Sequence, residues 1–350
     1  MRSDPILFEQ LPIGRKSLRI AVVTETYPPE VNGVATTLGR FVAGLHEREH
    51  EVQLIRPRQA SGERAGSSER FHEVLQRGVP IPRYPALKMG LPAKQALARM
   101  WSIKRPDVVH IVTEGPLGWS ALQAALKLRL PVCSDFHTNF HAYSRHYGIG
   151  WLKTPIAAYL RKFHNRTRCT MVPTAAMRDE LEEMGFRNLR VVARGVDTRL
   201  FDPARRSQAL RDSWGAGASD PVALYVGRLA PEKNLPALVA AFEAMRARSP
   251  RARLVLVGDG PDSAAFAARH PAFVCAGMRV GEDLAAHYAS GDIFLFPSLT
   301  ETYGNVTVEA MASGLAVVAY DYAAAAEHLR DGVSGLLADY DDLGEFTRCA

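Results

Sequence analysis

The chain has only four cysteines, and none are paired in sequence: Cys133, Cys169, Cys275 and Cys349 stand far apart, with no C-x-x-C. That spacing speaks against a zinc cluster and a disulfide framework and implies reduced, mostly buried thiols. Long apolar runs are missing too. No stretch approaches the roughly 18 residues of a membrane span, and the N-terminus MRSDPILFEQLPIGRKS lacks the apolar core of a signal peptide, so the expected location is the cytoplasm. G-x-x-x-x-G-K-[ST] occurs nowhere, which argues against ATP hydrolysis, and no turn completes the G-x-G-x-x-G of a nicotinamide-binding strand end. The only D-x-D, Asp339-Tyr340-Asp341, is expected to cap the last helix rather than to clamp a metal.

What is present suits a soluble two-domain enzyme. A length of 350 residues with 47% hydrophobic content exceeds what one core usually organises. The net charge of +6 is uneven: residues 1–206 carry +13 and residues 207–350 carry −7. Such a split suggests two units, an N-terminal domain over 1–206 and a C-terminal domain over 207–350, the first meeting something anionic. An anionic membrane surface and nucleic acid both answer to that description. The basic residues are dispersed and form no recognised nucleic-acid-binding motif, which disfavours the second.

Short β-rich runs alternate with helical patterns, the signature of repeated βαβ units. The sequence predicts strands at SLRIAVVT, HEVQLIR, DVVHIV, PVCSDF, CTMVP and LRVVA, with helices near 34–48, 93–104, 117–129, 151–167 and 175–184. The polar stretch DTRLFDPARRSQALRDSWGAGASDP reads as a linker, after which strands PVALYVG, RARLVLVG, AFVCAG, DIFLFP and LAVVAY follow. Leu235, Leu238, Val239, Phe242 and Met245 form one helical stripe. The expected fold is α/β, two doubly wound Rossmann-like domains facing across a cleft, with ligands outside the carboxyl ends of the strands. The chain stops at DYDDLGEFTRCA, which reads as the opening of a helix.

In FPSLTETYGNVTVEAMASG, Glu301 and Glu309 are eight positions apart. A helical rise of ~1.5 Å per residue sets their backbones roughly 10 Å or more apart, too far to share one bond. That spacing suits the two ends of an extended ligand, with helix-start N–H groups between them to hold an anion; a nucleotide-sugar has that layout. A loop carboxylate and a solvated helix residue are the plain alternative. Asn32-Gly33 precedes a helix after the first strand, and Gly33 lets a ligand approach that N-terminus. VGRLAPEKN places Arg228 and Lys233 on a strand-end loop, two cations suited to a diphosphate or, more plainly, to surface ion pairs. SDFHTNFHAYSRHYG offers His137, His141 and His146, with His137 nearest the strand end; no acidic motif accompanies them, so a metal is poorly supported. WLKTPIAAYLRKFHNRTR mixes apolar and basic positions, either a membrane-surface helix or one packed on its own sheet.

Taken together, PPEVNGV, FHTN at 136–139, GRLAPEKN at 227–234, GDGP at 258–261 and ETYGNVTVEAMASG at 301–314 resemble the retaining glycosyltransferases of family 4, which have the GT-B fold. Within that family the chain looks most like bacterial GDP-mannose-dependent mannosyltransferases and sulfoquinovosyl-diacylglycerol synthase-like enzymes. By that resemblance the family's closing C-terminal helices are expected to be absent from residues 207–350. The resemblance implies that Glu309 holds the ribose hydroxyls, Glu301 contacts the donor sugar, and Arg228 and Lys233 neutralise the diphosphate. It implies that the amides of Gly304, Asn305 and Val306 support the sugar or phosphate, that Gly33 lies near the diphosphate, and that His137 touches the sugar near the reacting carbon. It further implies a metal-independent, same-face transfer of a hexose, expected to be mannose, from GDP-mannose or a UDP-hexose to a lipid or glycan acceptor, with no cofactor. A peripheral position on the inner face of an anionic membrane follows as an expectation. A GT-B nucleotide-sugar epimerase and a non-catalytic nucleotide-sugar-binding protein remain the alternatives.

Overall fold

The computed structural model describes residues 17–30, 32–81, 84–137 and 153–350. Two compact units emerge, Met1–Asp135 with Phe163–Thr170 and Phe136–Lys162 with Met171–Ala350.

In the first unit, the strands are β1 (Arg19–Val23), β2 (Glu51–Pro57), β3 (Ser67–Ser68), β4 (Phe71–Gln76), β5 (Gly78–Ile81), β6 (Tyr84–Gly90), β7 (Val108–Ile111) and β8 (Val132–Asp135). The main sheet runs β8-β7-β1-β2-β4-β3, parallel except where β3 turns back on β4, while β5 and β6 form a separate antiparallel pair. Helices cover both faces, which explains why β1 reads as an unbroken apolar run. With side chains alternating along the strand, Ala21 and Val23 join one buried cluster with Trp101, Leu117 and Ile111, and Ile20 and Val22 join another with Leu38, Val42 and Leu54. The sequence reading missed β3 to β6: β3 is only two serines, and the Pro, Gly and charged residues of β4 to β6 hide the period-two pattern.

β9 (Cys169–Val172), whose last two residues belong to the second unit, lies beside β10 (Leu189–Val191), and Phe136, Leu160, Val172, Leu181, Phe186 and Leu189 form a small core there. The larger sheet comprises β11 (Val222–Val226), β12 (Arg253–Val257), β13 (Val274–Gly277), β14 (Ile293–Phe296), β15 (Ala316–Tyr320) and β16 (Gly335–Ala338). Its order is β13-β12-β11-β14-β15-β16, all parallel. That is the Rossmann order 3-2-1-4-5-6, in which the connection reverses direction between the first and fourth strands. The loops after β11 and β14 therefore open side by side. β16, from GVSGLLA, was not among the predicted strands.

Three expectations change. The stretch read as a linker is packed into the second unit: Phe201 and Trp214 join its core. Arg211, 1% exposed, donates to the carbonyls of Ser290, Gly217 and Asp220 at 2.8, 3.0 and 2.6 Å and to Asp292 at 3.1 Å. A polar composition thus conceals buried aromatic anchors and a buried guanidinium. The cysteines are free as expected, but three are half-buried and Cys275 is exposed. The last helix, Leu343–Cys349, is capped by Asp342, whose carboxylate accepts from Glu345 N at 2.8 Å, rather than by Asp339 or Asp341. His141 and His146, along with the start of the 151–168 segment, lie outside the described residues. Among the described residues no helix is long and apolar enough to cross a membrane.

Candidate functional site

The site is assembled from the two loops that flank the reversal of the second sheet. After β11 the chain passes through Gly227 and Arg228 into a short turn of 3-10 helix, Pro231–Lys233, which ends where Asn234 takes a left-handed conformation (φ 53°). This turn presents Lys233. After β14 comes the loop over residues 297–304, carrying Ser298 and Glu301. Lys233 Nζ pairs with Glu301 Oε1, Ser298 Oγ donates to that same oxygen at 2.7 Å, and both charged side chains are 16% exposed. Lys233 Nζ also sits 3.5 Å from Ser298 Oγ and 5.9 Å from the Phe296 ring centroid. An ammonium has three donors, so these contacts do not exhaust it.

The loop holding Glu301 is pinned at several points. Tyr322 Oη donates to the Glu301 carbonyl at 2.6 Å, Tyr340 Oη to the Leu299 carbonyl at 2.8 Å and Thr300 Oγ1 to the Glu232 carbonyl at 3.3 Å. Thr302 Oγ1 donates to the His137 carbonyl at 3.0 Å, tying the His137 backbone to the residue that follows Glu301. Arg194 Nη2 contacts His137 Nδ1.

Gly304 ends the loop with φ 88° and ψ 63°, a left-handed conformation that a side chain disfavours, and helix Asn305–Ala312 starts at the next residue. Asn305 and Val306 thus supply first-turn amides, which have no intrahelical acceptor. One turn on, Glu309 is not the solvated helix residue of the plain reading: it is 6% exposed, and Tyr288 Oη donates to its Oε2 at 3.2 Å. Burial, and then the Glu309 charge, hold the Tyr288 phenol well above its usual value, so it stays a donor.

Arg228 shares the loop of Lys233 but lies further out, 39% exposed, its guanidinium 3.8 Å from Glu232. Behind it, the glycines of VGRLA and VGDGP bring two loops into contact. A Cβ on Gly258 would stand 2.0 Å from the Gly227 carbonyl oxygen, and Leu229 N donates to the Asp259 carbonyl at 3.2 Å. GDGP therefore braces the Arg228 loop. Gly33 belongs to the first unit, where it opens helix Gly33–Glu47; Asn32 caps that helix, its Oδ1 accepting from Ala35 N at 2.9 Å.

The structure therefore gathers His137, Lys233, Glu301, Gly304, Asn305, Val306 and Glu309 within the second unit, with Arg228 on its margin. Sequence reasoning missed Ser298, Tyr288, Tyr322 and Arg194. Ser298, three residues before Glu301 in a strand-end loop, was within reach of such reasoning; Tyr288, 21 residues before Glu309, left no local signal. Among the described residues no three His, Cys, Asp or Glu side chains converge as metal ligands.

Comparison with known proteins supplies the family. Residues 31–200 match the family model described as Glycosyltransferase Family 4, and residues 220–350 match Glycosyl transferases group 1. The GDP-mannose-dependent alpha-mannosyltransferase of Mycobacterium tuberculosis is 34% identical over 333 residues, 94% of this chain and 85% of that protein. Sulfoquinovosyl transferase SQD2 of Arabidopsis thaliana is 32% identical over 87% of this chain and 60% of its own length. Among solved structures, sucrose-phosphate synthase from Thermosynechococcus elongatus superposes with a TM-score of 0.76 at 17% identity, over 95% of this chain and 88% of that one. The chain is a glycosyltransferase of family 4, and its two Rossmann-like units are those of the GT-B fold.

Proposed function

We propose that the protein is a retaining hexosyltransferase that moves mannose from GDP-mannose to a lipid or glycan acceptor without a metal ion. The observation that carries this reading is the pairing of Lys233 with Glu301 beside the helix start at Asn305, with Glu309 one turn further on. In this reading residues 207–350 form the donor side. Glu309 takes the ribose hydroxyls, Glu301 takes a hydroxyl of the sugar, and Lys233 and Arg228 neutralise the diphosphate as it leaves. The amides of Gly304, Asn305 and Val306 support the sugar or phosphate, and His137 meets the sugar near the reacting carbon. By the same family likeness Gly33, which opens helix Gly33–Glu47 in residues 1–206, is assigned to the diphosphate as well.

No side chain is assigned as a nucleophile. The departing diphosphate takes the acceptor proton on the face it leaves, and the protein contributes positioning and fixed positive charge. Mannose is favoured over other hexoses by the likeness to GDP-mannose-dependent relatives, and a lipid acceptor by the +13 charge of residues 1–206, which suits docking at the inner face of an anionic membrane.

The reading is tested by thermal unfolding in chelator with GDP, UDP and their sugar conjugates, on wild type and Glu309→Ala. A nucleotide at a hundred times its Kd adds about 2.7 kcal/mol of stability. GDP and GDP-mannose are expected to stabilise the wild type and to lose that effect in the variant. A protein that gains nothing from any nucleotide, or that needs magnesium to gain it, contradicts the proposal.

A further inference from the structure

The Tyr288 side chain is fully buried at the end of helix Gly281–Ser290, and its ring is clamped edge-on by Phe201 at 5.5 Å between centroids and tilted against Phe294 at 6.0 Å. Its hydroxyl donates to Glu309 Oε2 at 3.2 Å. Two packed helices and the sheet beneath them thus fix a donor against one oxygen of a buried carboxylate. A carboxylate has about four acceptor positions, and the phenol takes one of them.

We infer that Tyr288 is a positioning residue for nucleotide recognition: by holding the Glu309 carboxylate in one rotamer, it sets the protein's preference for a ribose with free 2′ and 3′ hydroxyls. The inference rests on the donor-site reading above, since it needs Glu309 to meet the ribose. A carboxylate that must be ordered at the moment of binding loses part of its contribution, and a prepositioned one does not. The loss is confined to ligands that have the hydroxyls. Tyr288 itself touches no ligand.

The experiment measures, by calorimetry, the affinity of GDP and of UDP, each beside its 2′,3′-dideoxy counterpart, for wild type, Tyr288→Phe, Glu309→Ala and the double variant. Phenylalanine keeps the ring and its packing on Phe201 and Phe294, and a thermal melt of each variant checks the fold. The wild type is expected to prefer the ribose form, and Glu309→Ala to abolish that preference. Tyr288→Phe should cut it about tenfold while leaving the dideoxy affinity unchanged, and the double variant should match Glu309→Ala alone. A Tyr288→Phe protein that keeps the full preference, or that weakens both ligands equally, overturns the inference and leaves the donor site standing. A wild type with no ribose preference, or a Glu309→Ala protein that retains one, overturns the donor-site reading and the inference with it.

Discussion

Replacing Lys233 by alanine separates a catalytic contribution from a structural one. Lys233 and Glu301 are each 16% exposed, between the limits for which ion-pair costs are known. Losing one partner costs about 3–5 kcal/mol for a fully buried pair and about 0–1 kcal/mol for an exposed one. Here Ser298 continues to donate to Glu301 at 2.7 Å, which offsets part of the loss, so a cost of about 1–2 kcal/mol is expected. For a unit of this size each kcal/mol moves Tm by about 2–4 °C, and the variant should melt a few degrees low but cooperatively. Turnover answers to a different quantity. A fixed cation facing a departing diphosphate is worth about 10²–10³ in rate. The assay is GDP release from GDP-mannose, with a membrane lipid extract as acceptor and a melt on the same sample. A fall of two orders of magnitude in kcat with a folded protein supports the leaving-group role. A kcat within about threefold of wild type refutes it, whatever happens to Tm.

Other perturbations test the frame around the site. Gly258→Ala forces a Cβ to within 2.0 Å of the Gly227 carbonyl at φ 136°; urea unfolding should show a loss of about 3 kcal/mol, and GDP protection should fall with it. Arg211→Ala leaves three carbonyls and Asp292 short of their buried donor, and a loss of about 3 kcal/mol is expected in the same measurement; an effect under about 1 kcal/mol would mean the stretch is a surface linker after all. In the first unit, burial pushes the Glu25 carboxyl up to about 7, against the lowering pull of the Leu117 and Gly90 amides. A folded-state value above the unfolded one means that the folded form binds the extra proton. The stabilisation is therefore full below the usual carboxylate range and is lost as pH rises through about 7. Glu25→Gln should flatten that slope between pH 5 and 8 and leave the protein more stable than wild type at pH 8, by up to about 3 kcal/mol.

The α/β class and the repeated βαβ rhythm were legible because parallel strands covered on both faces are continuous apolar runs: RIAVV, VALYV and RLVLV each read directly as strands. Strands without that pattern escaped, as FHEVLQ and YPALKMG did. The site was legible where chemistry is concentrated in one loop. Lys233, Glu301 and Glu309 stand out by charge and spacing, and the sheet order explains why loops about 70 residues apart converge. Contacts made by residues remote in sequence were not legible: Tyr288 to Glu309 and Arg194 to His137 depend on packing, which no local spacing encodes. The polar stretch before β11 misled for the complementary reason. Its Phe201, Arg211 and Trp214 are buried, although their neighbours are charged and small.

That stretch decides where the chain can be cut. A donor half started at residue 207 would leave behind Phe201, the ring that holds Tyr288 edge-on, and Arg206, which donates to Asp292 at 2.7 Å and to the Gly291 carbonyl at 3.0 Å. Pro203, seated where a Cβ on Gly314 would come within 2.9 Å, would be lost with them. Chimaeras that exchange donor halves between relatives should therefore place their junction ahead of Asp197. On the proposed donor-site reading, residues 197–221 travel with the loops that follow them, and a graft that splits them loses the Phe201 ring that packs on Tyr288.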